Sequence, residues 1–223
     1  SCSSEYPSEV FDAIQINAGL LLFTKNKQFM LTTDSDVLSP ETAKINAVSS
    51  YNFNEKTNPI SLGTTVAFLD NANKFTRFFE MSNVLRQGEP DIVDQSQVIS
   101  QALSKNISII SNSRENSVVF FSEKGSDTLY GFRYFATGER RLLQSWFTWE
   151  VAGDIQYHCM MDDALYLITR HFGTSNQASQ TDYIGPKDQM IKISLKTDED
   201  DFITPQREQV YNVEFVHSGS ENG

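Results

Sequence analysis

Short apolar runs of four to seven residues, rich in Phe, Val, Ile, Tyr and Thr, recur along the chain and are separated by turn-forming residues. Runs this short and this rich in β-branched and aromatic side chains predict strands rather than helices. Four hairpins stand out. Leu20–Phe23 turns through Lys25-Asn26-Lys27 into Gln28–Leu31, and Val66–Leu69 turns through Asp70-Asn71-Ala72-Asn73 into Phe75–Phe79. Val118–Phe121 leads by way of Gly125 to Leu129–Phe135, and Ala164–Ile168 resumes at Met190–Ile193 after a long polar loop. Lys44–Tyr51, Ile107–Ser111 and Leu142–Trp149 each add a flanking strand.

The residues that open the hairpins, Gly19, Gly63, Asn116 and Asp163, lie 44, 53 and 47 residues apart. A loose period of about 40 to 50 residues with three or four antiparallel strands per unit is that of a β-propeller blade. A sandwich with regular hairpins gives the same spacing, so the period alone leaves both architectures open. One stretch departs from strand character: between Asp94 and Ser104, Val98, Ile99, Ala102 and Leu103 fall at helical spacing and predict one short helix. Residues 171–187 and the acidic run 197–201 read as exposed loops.

Charge narrows the function. The chain of 223 residues carries 18 Lys and Arg against 29 Asp and Glu, a net charge of −11. Gripping phosphates needs clustered cations, and the basic residues here are scattered, which argues against binding the outside of a nucleic acid. No window approaches the roughly 18 consecutive apolar residues of a membrane helix. The first residues, Ser1-Cys2-Ser3-Ser4-Glu5, have neither an initiator Met nor the pattern of a signal peptide, so the chain is expected to be a piece of something longer. Two cysteines, Cys2 and Cys159, are too few for a disulfide scaffold and suit a reducing compartment.

Catalytic and cofactor chemistry finds little to work with. Only His158, His171 and His217 could act as a base, and none stands in a hydrolase, phosphate-loop, dinucleotide or zinc motif. His158 and Cys159 would point to opposite faces of a strand, which reads as structure rather than as a pair of metal ligands. Asp162-Asp163 reads as a turn, and the acidic run 198–201 lacks the spacing of a calcium loop. Asn106-Ile107-Ser108 would matter only in a secretory context, which nothing here supports. Trp146 and Trp149, three apart on a strand, point to opposite faces: one is expected in the core and the other at an interface. Gln28 reads as half of a cross-strand polar pair, and Gly19 as a place where the chain turns or approaches another backbone. No catalytic, cofactor or metal site is therefore expected, and the chain is read as a non-enzyme.

Several longer strings carry more than composition. Gly19–Leu31, Val37-Leu38-Ser39-Pro40-Glu41-Thr42-Ala43 and Pro59–Gly63 resemble the tail tubular protein B family, the tail nozzle proteins of short-tailed bacteriophages, with the marine cyanophage branch nearest. The likeness continues through Arg77-Phe78-Phe79-Glu80 and Ser113–Ser117 to Gln144–Trp149. The resemblance implies an all-β, β-propeller-like fold and a structural virion role: a hexameric ring forming part of the channel for DNA ejection. It implies an adaptor ring above, tail fibres at the sides and DNA passing without specific contact. It also implies a place in the virion tail, after assembly in the bacterial host cytoplasm. An acidic wall suits a conduit, because each retained phosphate contact would slow passage.

Family members look several times longer than this chain, so 13–216 is read as a β-propeller-type fragment between a flexible 1–12 and a flexible tail, 217–223. Phe172, Tyr183 and Ile184, apolar residues in an otherwise polar loop, are the candidate partner contact. The alternative reading is a glycan- or partner-binding propeller serving adhesion, which should carry an aromatic and carboxylate cluster on one face.

Overall fold

The computed structural model describes residues 9–16, 19–72, 74–82, 90–99, 103–137, 140–171, 187–195 and 206–213. The alternating and all-apolar runs become strands that fold in chain order into four four-stranded antiparallel sheets. The first sheet is β1 (Val10–Ile16), β2 (Gly19–Thr24), β3 (Gln28–Thr33) and β4 (Ala43–Ser49). The second is β5 (Ile60–Ser61), β6 (Val66–Asp70), β7 (Arg77–Ser82) and β8 (Asp91–Asp94). The third is β9 (Ile109–Ser113), β10 (Val118–Ser122), β11 (Thr128–Thr137) and β12 (Arg140–Glu150). The fourth is β13 (Asp154–Met161), β14 (Ala164–His171), β15 (Lys187–Ser194) and β16 (Gln206–Val213). Each sheet is a meander whose spatial order follows the chain.

How the sheets stack follows from period two. In β6, Val66 and Phe68 pack with Leu21, Phe23 and Met30 of the first sheet, while Ala67 and Leu69 pack with Phe121 and Phe132 of the third. In β10, Val119 and Phe121 face the second sheet, and Val118 and Phe120 face Leu165, Leu167, Ile191 and Ile193 of the fourth. The all-apolar runs of β6 and β10 are thus strands buried on both faces. Three seams join the sheets face to face in chain order, and among the described residues no buried cluster joins the first sheet to the fourth. Four sheets in series exclude a two-sheet sandwich; the architecture is all-β and propeller-like, with each sheet in the place of a blade.

Two details differ from, or refine, the sequence reading. Of the expected short helix the described residues show a 3-10 turn over Gln97–Ile99, with Val98 81% exposed rather than on a buried face, while 100–102, Ala102 among them, lie outside the described residues. Local side chains compete for the backbone there: the Ser96 N–H donates to Asp94 Oδ1, and the Ile99 N–H turns back to the Ser96 carbonyl. Gly19 is required by close approach, since a Cβ at that position would lie 2.2 Å from the Leu31 carbonyl oxygen across the β2–β3 ladder.

Candidate assembly surfaces

The inner sheets bury both faces, but each end sheet buries only one. On the first sheet, the face turned away from the second carries two apolar cross-strand rows. Leu22, Phe29 and Ala47 form one, and Leu20, Leu31 and Ile45 the other. Leu20, Leu22, Phe29 and Leu31 are only half-buried, and Ile45 is 55% exposed. On the fourth sheet, the face turned away from the third carries Tyr157, Ile168 and Met190 in one row and Cys159, Tyr166 and Lys192 in the next. Tyr157 is 57% exposed and Met161 51%. Arg170 and Asp188 stand opposite each other on this face, with Nε and one terminal nitrogen donating to the two carboxylate oxygens at 2.8 and 3.1 Å. The fork holds the Asp188 carboxyl below its ordinary range, chiefly through the hydrogen bond from Arg170.

Polar groups pin the seams from inside. His158 of β13 is buried, and its Nδ1 lies 2.6 Å from Ser111 Oγ of β9, so the first strands of the third and fourth sheets are tied together. Ser111 Oγ is also 3.1 Å from the His158 carbonyl oxygen. One proton assignment satisfies both contacts: Nδ1–H donates to the hydroxyl, which donates to the carbonyl. Nε2 is then a bare acceptor with no partner in an apolar surround. Burial drives the imidazole pKa down to about 3, so it stays neutral. In the second sheet the buried Asp70 carboxylate accepts from Arg77 at 3.0 Å and from the Asn52 N–H at 3.1 Å, and Arg77 lies over the Phe79 ring. Asn54 Nδ2 donates to the Ile107 carbonyl at 2.7 Å, joining the second sheet's approach to the third's.

A cleft of about 240 Å³ opens along the third–fourth seam. Its wall is the third sheet: Arg133 and Ser145 are cross-strand partners at one end, followed along β12 by Phe147 and Trp149. The Phe147 ring lies against the backbone of Gly131, its partner in β11, where a Cβ would come within 2.1 Å of the ring. The two rings are 5.0 Å apart at a tilt of 43°.

The residues singled out from the sequence fall as follows. Phe172, Tyr183 and Ile184 lie outside the described residues, as do Cys2, His217 and the acidic run 198–201. Trp146 packs into the second–third seam and Trp149 lines the third–fourth cleft, so the pair divides between two faces. Gln28 is buried opposite Ser49, accepts from its hydroxyl at 2.5 Å and donates to the Tyr51 carbonyl at 2.9 Å. Asp162-Asp163 forms the two-residue turn between β13 and β14, with Asp162 at φ 52°. His158 and Cys159 point to opposite faces, and among the described residues no group of His, Cys, Asp and Glu is placed to hold a metal. Among the described residues, no helix is long and apolar enough to cross a membrane. The Asp70–Arg77 and His158–Ser111 contacts are not among the sequence-based expectations. The first had a signal, opposite charges flanking a hairpin turn; the second joins residues 47 apart in the chain and had none.

Four-stranded antiparallel sheets stacked in series, each end sheet keeping one face uncovered by its neighbour, define the class as an all-β, propeller-like module. The model of the bacteriophage nozzle proteins matches residues 1–214, and the chain belongs to that family. It is a structural protein of the phage tail. No curated protein matches the chain.

Proposed function

We propose that this chain is part of a tail nozzle subunit that assembles as a hexameric ring and forms part of the channel through which DNA leaves the virion. The observation that carries this reading is the family match over residues 1–214. An adaptor ring above and tail fibres at the sides are its partners, DNA passes without specific contact, and the subunit catalyses nothing. Assembly takes place in the host cytoplasm. A net charge of −11 supports a conduit role, because an acidic wall does not hold phosphate.

The two end faces, apolar on the first sheet and mixed apolar and charged on the fourth, fit lateral contact between copies, a different patch meeting a different patch as a ring requires. Four strands about 4.8 Å apart, six or seven residues long in the first sheet and eight in the fourth, present only about 400–500 Å² per face. A stable interface needs about 800 Å² per partner, so this piece alone is monomeric or weakly associated. Sedimentation at low and high salt tests that point: a stable hexamer in both would place the whole ring interface within this piece. Phe172, Tyr183 and Ile184 are the proposed contact with the adaptor ring. Phe172→Ser with Tyr183→Ser should weaken docking and leave melting unchanged; unchanged docking removes the loop. The decisive experiment is on virions: purified tails should contain the chain's sequence at ring stoichiometry in mass analysis, and its absence would end the structural proposal.

A further inference from the structure

We infer that the cleft between the third and fourth sheets, together with the outer edge of β12, receives an extended acidic–apolar segment of another protein by strand addition. β12 is the last strand of its sheet, and among the described residues nothing pairs with its outer edge. Among the described strands it is also the longest, spanning 11 residues. An edge strand presents unpaired N–H and C=O groups that an extended chain can continue. Ser145, Phe147 and Trp149 are alternate residues of β12 and all line the cleft. A strand added alongside would therefore send its own alternate side chains into the same space.

The cleft also sets the order of those side chains. The side chain of Arg133, opposite Ser145, enters no hydrogen bond or ion pair with a described residue, in a chain whose net charge is −11. It stands at one end, and the Phe147 and Trp149 rings extend about 13 Å along the strand from it, at roughly 3.3 Å per residue. A carboxylate meeting Arg133 and apolar side chains two and four residues further on complete the surface. One cation beside two aromatic rings does not suit a nucleic acid, whose phosphates call for several cations in register. The lining holds no carboxylate, which the glycan-binding alternative would need. The inference stands on this cleft and is independent of the ring reading.

The probe is the peptide acetyl-Thr-Glu-Thr-Val-Thr-Val-Thr-amide, titrated into the whole chain. Binding is followed by tryptophan emission and by amide NMR shifts, with Trp149→Phe identifying the emitting ring. Saturable binding with amide shifts concentrated on β12 is expected. Arg133→Gln should weaken it about tenfold, and replacing the peptide's Glu by Gln should weaken it equally for the native chain but no further for Arg133→Gln. Equal binding of the Glu and Gln peptides, shifts away from β12, or no saturable binding would each overturn the inference. So would a single-stranded oligothymidylate that competes for the same amides. The peptide substitution leaves the protein untouched, so the test survives a variant that folds poorly.

Discussion

The third sheet meets its two neighbours in different ways. Against the second sheet it presents aromatic rings: Phe121, Phe132 and Trp146 surround Phe78, with centroids 5.0, 5.3 and 5.9 Å from it. The Trp146 indole N–H completes the seam by donating to the Gln95 carbonyl at 3.0 Å. Against the fourth sheet it presents one fully buried ring, Phe120, beside Ile109, Val118 and Leu129, and there it meets the aliphatic side chains Leu165, Leu167, Ile191 and Ile193; one buried hydrogen bond joins His158 to Ser111, and Phe147 and Trp149 are left half-covered at a cleft. Large flat rings in edge and tilted contact fill a seam by themselves. On the fourth sheet the branched aliphatic side chains stay buried through β14 and β15, a polar pin fixes the spacing at the first strands, and the seam opens as a cleft beside β12.

Substitutions can break that distinction. The largest effect should come from Phe121→Ala, at about 3–5 kcal/mol of lost stability in chemical denaturation, because rings held on several sides cannot collapse into the space. Leu167→Ala on the other seam should cost less, toward about 2 kcal/mol, since the neighbouring cleft gives the site room to relax. A larger loss for Leu167→Ala would show that the two seams are packed alike.

The next effect is specific to pH. Unfolded, His158 takes up a proton near 6.5; folded, it resists until about 3. Between these values the unfolded state holds the extra proton, so stability is fully present above about 6.5 and falls as pH drops through the window. The slope approaches about 1.4 kcal/mol per pH unit. Melting followed from pH 7 to 5 should show this loss, and His158→Gln should flatten it. An equal slope in the variant would show that the pin does not carry it.

The smallest effect should be on an end sheet: Ile45→Ser, on the half-open face, should change stability by no more than about 0.5 kcal/mol. A loss above 1 kcal/mol would mean that this face is covered within the single chain.

Much of this order was legible in the amino-acid pattern. Ten of the apolar residues from Val66 to Leu69 and Val118 to Phe121, with Phe78 and Phe79, announce strands with two buried faces, because no solvent-facing residue interrupts them. The hairpin openings at Gly19, Gly63, Asn116 and Asp163 each fall at or near the first hairpin of a sheet. β5 and β8 escaped notice because two and four residues are too few to show a period, and β1, β13 and β16 because polar residues keep any apolar run in them below four; their pairing comes from the neighbouring strands. The apolar face of the first sheet was visible as Leu20, Leu22, Phe29 and Leu31, but not that it would stay half-open, since exposure depends on what the neighbouring sheet covers. The Arg133 cleft was not legible at all. It depends on the register that sets Arg133 against Ser145, and on Gly131 leaving room for the Phe147 ring.

The sharing of β6 and β10 between adjacent clusters also has a kinetic side. Neither strand can open without loosening two clusters at once, whereas β4 and the outer strands of the fourth sheet can separate at the cost of one. Amide hydrogen exchange should accordingly be graded along the stack, fastest in the first and fourth sheets and slowest at Ala67, Phe68, Val119 and Phe120. Strain applied at either end would be absorbed by fraying of a terminal sheet before it reached the middle, as in other chains whose units touch only their neighbours.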